Sequence, residues 1–192
     1  YYVSVGLQHA RSAPSEPVSA LDESGPMADL SRRYLTLLLD GDRRKASQLI
    51  MDAVEEGSAV KSIYAHIFQP VQREIGRLWQ INQIGVAEEH YCTAATQLIM
   101  SQLYPHIFAT ERRDRRFLGT CVGGELHEIG VRMVADFFEM DGWDTYYMGA
   151  NTPEASVLET IASQNVDVIG ISATMTFHVR QVASLIASIR NA

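Results

Sequence analysis

The sequence predicts a helical bundle followed by an α/β layer built on a parallel sheet. Three observations carry this expectation. Up to about residue 110, apolar residues recur every three or four positions. From Phe117 onward, short apolar runs alternate with amphipathic stretches. Between the two lies ERRDRR, residues 111–116, an unbroken run of charge. At 192 residues, with 46% hydrophobic and 20% charged, the chain is long and apolar enough to bury a core.

Residues 1–26 mix Ser, Pro, Ala and Glu without a period and read as a flexible leader. The bundle is expected over 27–110. In ADLSRRYLTLLLD, positions Leu30, Tyr34, Leu37 and Leu38 share one face. Gly41 punctuates, and DRRKASQLIMDAVEEG makes a second helix closed by Gly57. In VKSIYAHIFQPVQREIGRLW, the residues Ile63, Ile67, Val71, Ile75 and Leu78 form an apolar stripe. Pro70 either kinks this helix or opens a new one. A fourth helix is expected over 86–103, stopped near Pro105. The charge run 111–116 reads as a solvated linker rather than a nucleic-acid patch.

Over 117–192 the expected order is strand 117–122, helix 129–140, strand TYYMG, helix 153–164, strand VDVIGIS, helix 177–190. This is the start of an open parallel sheet, whose ligands sit beyond the carboxyl ends of the strands. Three strands are few, so the sheet is expected to continue beyond this sequence.

Charge and composition narrow the function classes. Sixteen Lys and Arg against 23 Asp and Glu give −7, poorly suited to holding phosphates, so no direct nucleic-acid partner is expected. No apolar run reaches the roughly 20 residues of a membrane span, and no membrane partner is expected. The first residues lack the pattern of a secretory signal. Cys92 and Cys121 are too few and too far apart for a disulfide framework, so a reducing, cytoplasmic setting is expected.

The first sheet loop reads GGELHEIG. Gly123 and Gly124 allow close backbone approach, and Gly130 lets the next helix pack closely. Glu125 and His127, two residues apart in extended chain, point the same way. A carboxylate on one imidazole nitrogen fixes the tautomer and raises the basicity of the other, as at metal-ligating histidines. Taken alone, the triplet fits a loop histidine beside a chance acid equally well.

The run Glu125, His127, Gly130 resembles the D-x-H-x-x-G signature of cobalamin-binding domains, with Glu in the Asp place. The resemblance spans from about Leu30 to the C-terminus. It implies a helical cap over a Rossmann/flavodoxin-like parallel sheet, with His127 as the lower cobalt ligand and Glu125 orienting it. Ser172 and Thr174 of ISATM then line the channel for the cofactor's nucleotide tail; the family's later Gly-Gly pair has no counterpart here. Met148, Gly149 and Asn151, ending the second strand, become candidate cofactor contacts.

On the cap, Trp79 ends the third helix and, after INQIG, Glu89 and His90 fall in the first turn of the fourth. Each taken alone reads as core, solvated acid or surface group. Together, W-x9-E-H resembles the cap of light-sensing cobalamin-dependent regulators, in which these residues contact the upper, adenosyl ligand. Gln80 departs from that pattern, since the best-known sensors have histidine there; His90 or water would have to take its place. The residues before Met27 offer no helix-turn-helix, so a signal would pass through a regulatory protein or a fused effector.

The resemblance therefore implies a cobalamin-binding photosensor, sensory rather than enzymatic. Its cofactor would be adenosylcobalamin, or the methyl or aquo form, and the protein would be a homo-oligomer. The alternatives are a corrinoid methyl carrier of a methyltransferase system, a photoreceptor that also holds a bilin against Tyr64, Phe68, Tyr91 and Tyr104, and an interaction module without cofactor. His66 and His106 read as bundle residues, Cys92 and Cys121 as packing. His178 either touches the tail or starts the last helix.

Overall fold

A computed structural model describes residues 19, 21, 24–108 and 111–191, so nearly all of the expected leader lies outside the described residues. The bundle comprises α1 (Ala28–Leu39), α2 (Arg43–Glu55), α3 (Val60–Ile63), α4 (Gln69–Gln80), α5 (Val86–Gln102) and the short α6 (Tyr104–Ile107). Its core includes Tyr34, Leu38, Ile63, Ile67, Val71 and Ile75, which the spacing picked out, and also Ile50, Phe68, Ile99 and Met100.

Pro70 lies in the first turn of α4, the second of the two expected outcomes. Between α3 and α4 the chain runs through a π-helical segment, Tyr64–Phe68, where the Gln69 amide donates five residues back to the Tyr64 carbonyl. Proline has no N–H for the carbonyl of His66, four residues earlier. Ser31 Oγ of α1 donates to that carbonyl at 2.5 Å instead.

The second part has β1 (Arg116–Cys121), α7 (Ile129–Met140), β2 (Asp144–Gly149), α8 (Glu154–Gln164), β3 (Val168–Ser172) and α9 (Val179–Asn191). The strands are parallel in the order β2-β1-β3, with Cys121 opposite Ser172. Only the central β1 is buried along its length. The apolar run VDVIGIS, whose composition suits a buried strand, lies at the edge of the described sheet and stays half-covered. Met133 of α7 joins the bundle core, with Ile129, Phe137 and Met140 packed against it, while Val157 of α8 and Leu185 of α9 cover the sheet's other face.

The charged run 111–116 is exposed through Arg115, and its last two arginines tie it to the sheet. Arg115 pairs with Asp167 at 2.8 Å, and Arg116 grips Asp144 through Nε and Nη2 at 2.9 and 2.6 Å, fixing the starts of the strands. Across the seam between bundle and sheet, the buried Asp136 accepts the hydroxyls of Tyr64 (2.8 Å) and Tyr104 (2.9 Å). Burial, partly countered by those hydrogen bonds, pushes the Asp136 carboxyl up. The bundle is thereby keyed onto α7. Among the described residues no helix is long and apolar enough to cross a membrane.

Candidate functional site

The site forms where the loop after β1 meets the loop after β3. The backbone turns at Gly123-Gly124, with the Glu125 amide donating to the Val122 carbonyl at 3.0 Å. Gly124 takes φ +80°, a conformation glycine adopts freely, and donates to Asn151 Oδ1 at 2.7 Å. Glu125 and His127 thus lie past a turn, beyond the strand rather than in its extension.

Glu125 is fully buried, and both its oxygens are engaged. Oε1 accepts from the His127 amide at 2.9 Å and sits 2.5 Å from His127 Nδ1. Oε2 accepts from the amides of Thr174 (2.6 Å) and Met175 (3.2 Å) and lies 2.9 Å from His178 Nδ1. Burial works to raise the Glu125 pKa, but the amide and ring of His127, the ring of His178 and the Thr174 amide outweigh it. The carboxyl is held well below the usual carboxylate range. An ionised carboxylate only accepts, so Nδ1 of each ring faces it as a donor and Nε2 is the nitrogen left for another partner. The His127 side chain is 51% exposed and that of His178 5%, so of the two rings His127 is the one open to a ligand.

His178 is the member of this group whose role the sequence left open. It neither merely starts a helix nor stands free: it holds Glu125 from the β3 side. No spacing signal ties position 178 to position 125, and only the parallel pairing of β1 with β3 brings them together.

Gly130 does not serve close helix packing as expected. A Cβ built there meets nothing within 4 Å, so the first turn of α7 faces open space at this position. Gly130→Ala is therefore expected to leave the melting temperature unchanged or slightly raised, alanine being the better helix former by about 1 kcal/mol. If the open space is a ligand's, the same variant weakens binding, which titration of the cofactor would read. Gly149, at φ +75°, is constrained: a Cβ there would lie 2.9 Å from Glu128 Oε2. Ser172 ends β3, its carbonyl accepting the Val122 amide at 3.3 Å, and Thr174 reaches the site through its amide. Around this mouth Leu126, Met175 and Phe177 are exposed apolar side chains. Thr152 Oγ1, buried beside Gly123, has no hydrogen-bond partner among the described residues.

The cap residues flank the α4–α5 turn. Trp79 is 43% exposed at the end of α4. α5 starts at Val86 as expected, which leaves Glu89 in its first turn and makes His90 the fifth residue, just past that turn. Its Nδ1 lies 2.5 Å from Glu89 Oε2, while Glu89 Oε1 accepts from Thr93 Oγ1 at 3.0 Å. His90 and Gln97, seven residues apart, share one face of α5. Gln97 donates to Glu128 at 3.0 Å, so the exposed His90 stands on the same face about 10 Å further up the helix. No hydrogen bond or ring contact joins Trp79 to Glu89 or His90 among the described residues.

The aromatics offered for a bilin are engaged otherwise. Tyr64 and Phe68 are fully buried in the core, Tyr104 donates to Asp136, and Tyr91 donates to the Gly41 carbonyl at 2.5 Å. Burial raises the thiols of Cys92 and Cys121 to about 11, as suits packing residues.

Comparison with known proteins places these features in a family context. Residues 115–192 match a family model described as B12 binding domain, and residues 30–104 match a second model of the same description. The chain is 23% identical over 148 residues to methionine synthase of Mycobacterium tuberculosis, covering 74% of this chain and 12% of that protein. It is 24% identical over 123 residues to the HTH-type transcriptional repressor CarA of Myxococcus xanthus, covering 64% of this chain and 41% of the repressor. The chain thus spans less than half the length of either relative. The fold is that of the monomethylamine corrinoid protein of Methanosarcina barkeri (TM-score 0.74, 17% identity, 86% of this chain and 79% of that one).

Proposed function

We propose that this chain, both parts of which match B12 binding domain models, binds cobalamin and presents it to a methyltransferase as a corrinoid methyl carrier. The observation that carries the binding reading is the Glu125–His127 pair: a buried, ionised carboxylate 2.5 Å from Nδ1 of a half-exposed histidine. This is the outer-shell arrangement that orients a metal-ligating imidazole and makes it a stronger donor. The open space at Gly130 and the exposed apolar rim of Leu126, Met175 and Phe177 fit a large, partly apolar ligand.

Cobalamin, when bound, would supply the cobalt–carbon bond chemistry. The chain's own residues would do the rest. His127 would hold cobalt from below, and Glu125, tied to both loops, would keep its ring aimed. Ser172, Thr174, Gly123 and Gly124 would border the tail's channel, and Gly149 would shape the β2 end beside it. The carrier reading is supported by the shared fold with a monomethylamine corrinoid protein and by the similarity to methionine synthase.

A light-sensing role is the second reading. The exposed Trp79 and the carboxylate-oriented His90 at the α4–α5 end favour it, together with the similarity to CarA. Adenosylcobalamin would then be the cofactor, and a regulatory partner, a fused effector or a second copy of the chain would receive the signal.

One experiment separates the readings. The protein is incubated in darkness with adenosylcobalamin or methylcobalamin, desalted, and its visible spectrum and size recorded before and after green light. Retained cobalamin with the same size in light and dark, and demethylation by a partner methyltransferase, is the expected result. A light-dependent change in size or shape overturns the carrier reading in favour of the sensor. A protein that emerges colourless overturns both.

A further inference from the structure

Glu128 lies between His127 and the first residue of α7, and its carboxylate joins three elements. Oε1 accepts from Gln97 Nε2 of α5 at 3.0 Å. Oε2 accepts from the Tyr147 hydroxyl and the Ala150 amide, both at 2.9 Å, at the end of β2. The β2 end is shaped around it, since any side chain at Gly149 would intrude on Oε2. Its backbone carbonyl accepts the Arg132 amide at 3.0 Å, in the first turn of α7. The residue directly after His127 is thus held by the bundle and by the sheet at once.

The seam continues along α5. Arg132 Nη1 donates to the Gln97 carbonyl at 3.2 Å, and Nη2 to Ser101 Oγ at 2.7 Å. Of these seam bonds, only Gln97 to Glu128 reaches the loop that carries His127. Glu125 sets the orientation of the His127 ring; Glu128 sets where that stretch of backbone stands relative to the bundle.

We propose that Glu128 is the positioning residue through which the helical bundle sets the reach of His127, so that bundle docking and histidine ligation of cobalt are coupled. The proposal rests on the reading of His127 as the lower ligand. A shift of α5 releases Glu128 from Gln97 and leaves it held by Tyr147 and Ala150 alone. The peptide unit next to His127 then relaxes toward the sheet. The coupling is reciprocal: ligation of His127 favours the docked bundle by the same factor.

The test uses the full chain, made with nitrogen-15 histidine and loaded with cob(II)alamin, whose electron paramagnetic resonance shows a nitrogen-15 doublet when a protein histidine ligates cobalt. Gln97→Ala and Glu128→Ala are each expected to lower the ratio of histidine-ligated to unligated cobalt by about 2- to 30-fold, the range of couplings carried by residues that touch neither ligand. Ser101→Ala, which removes a seam bond without touching Glu128, is expected to leave the ratio unchanged. Circular dichroism checks that all three variants fold alike.

A full doublet in both Gln97→Ala and Glu128→Ala overturns the proposal. So does a loss confined to Glu128→Ala, since Glu128 would then hold the loop without the bundle. An equal loss in Ser101→Ala overturns it too, by pointing to general loosening of the seam. Absence of the doublet in the unmutated protein is a different failure: it removes His127 as ligand, and the coupling with it.

Discussion

Replacing His127 by alanine is expected to weaken cobalamin binding by about 10- to 100-fold, the loss that follows when even the groups orienting a metal ligand are removed. The visible spectrum of any cobalamin still bound should change as well, because the lower ligand tunes the cobalt absorption. Stability should hardly move. The ring is half-exposed, and its Nδ1 is one of five donors on Glu125, whose other four remain. Equilibrium titration with aquocobalamin, paired with a thermal melt, checks both halves. Unchanged affinity and spectrum in a folded variant would remove His127 from the site.

Glu125→Ala should act on the fold as much as on the cofactor. It strips a buried anion from five donors, two ring N–H groups and three amides, and leaves them unpaired in the interior. Breaking a buried charged network from one side costs about 3–5 kcal/mol. For a chain of this size that lowers the melting temperature by about 6–20 °C. The loops after β1 and β3 would part, and binding would fall with them. A melt within 2 °C of the unmutated protein would show that the carboxylate does not hold the loops together.

The same group fixes a pH dependence. In the unfolded chain Glu125 titrates near about 4.3, and in the folded chain lower, so the folded state binds the proton less readily. Its contribution is therefore fully present above about pH 5 and is lost as pH falls through the unfolded value toward the folded one. Acid unfolding of Glu125→Gln, which has no carboxyl to protonate, should be shallower below pH 4.

Much of this molecule was legible from residue spacing. The 3.6-residue stripes of 27–110 foretold the bundle core down to Tyr34, Leu38, Ile67 and Ile75, and the switch of period after 116 foretold the parallel sheet. The Glu125–His127 pair was legible because its two members are neighbours in sequence, so local geometry alone brings carboxylate and ring together.

Other features depended on distance in the chain. His178 and Glu125 are 53 residues apart, and Gln97 and Glu128 are 31 apart. Neither pair leaves a periodic trace, because hydrogen bonds between loops follow from strand order and helix docking rather than from spacing. The space beside Gly130 was misread for a related reason: a glycine looks the same in sequence whether its missing side chain admits a neighbouring helix or leaves a gap. Pro70 could mark a new helical start but not the π-helical turn before it, where Ser31 of another helix meets the His66 carbonyl. The sequence by itself determined the elements, their order and the pairing of Glu125 with His127, since these depend on neighbours along the chain. The tertiary structure alone decided which loops share Glu125 and which helix holds Glu128, because those contacts exist only once the sheet has closed and the bundle has docked.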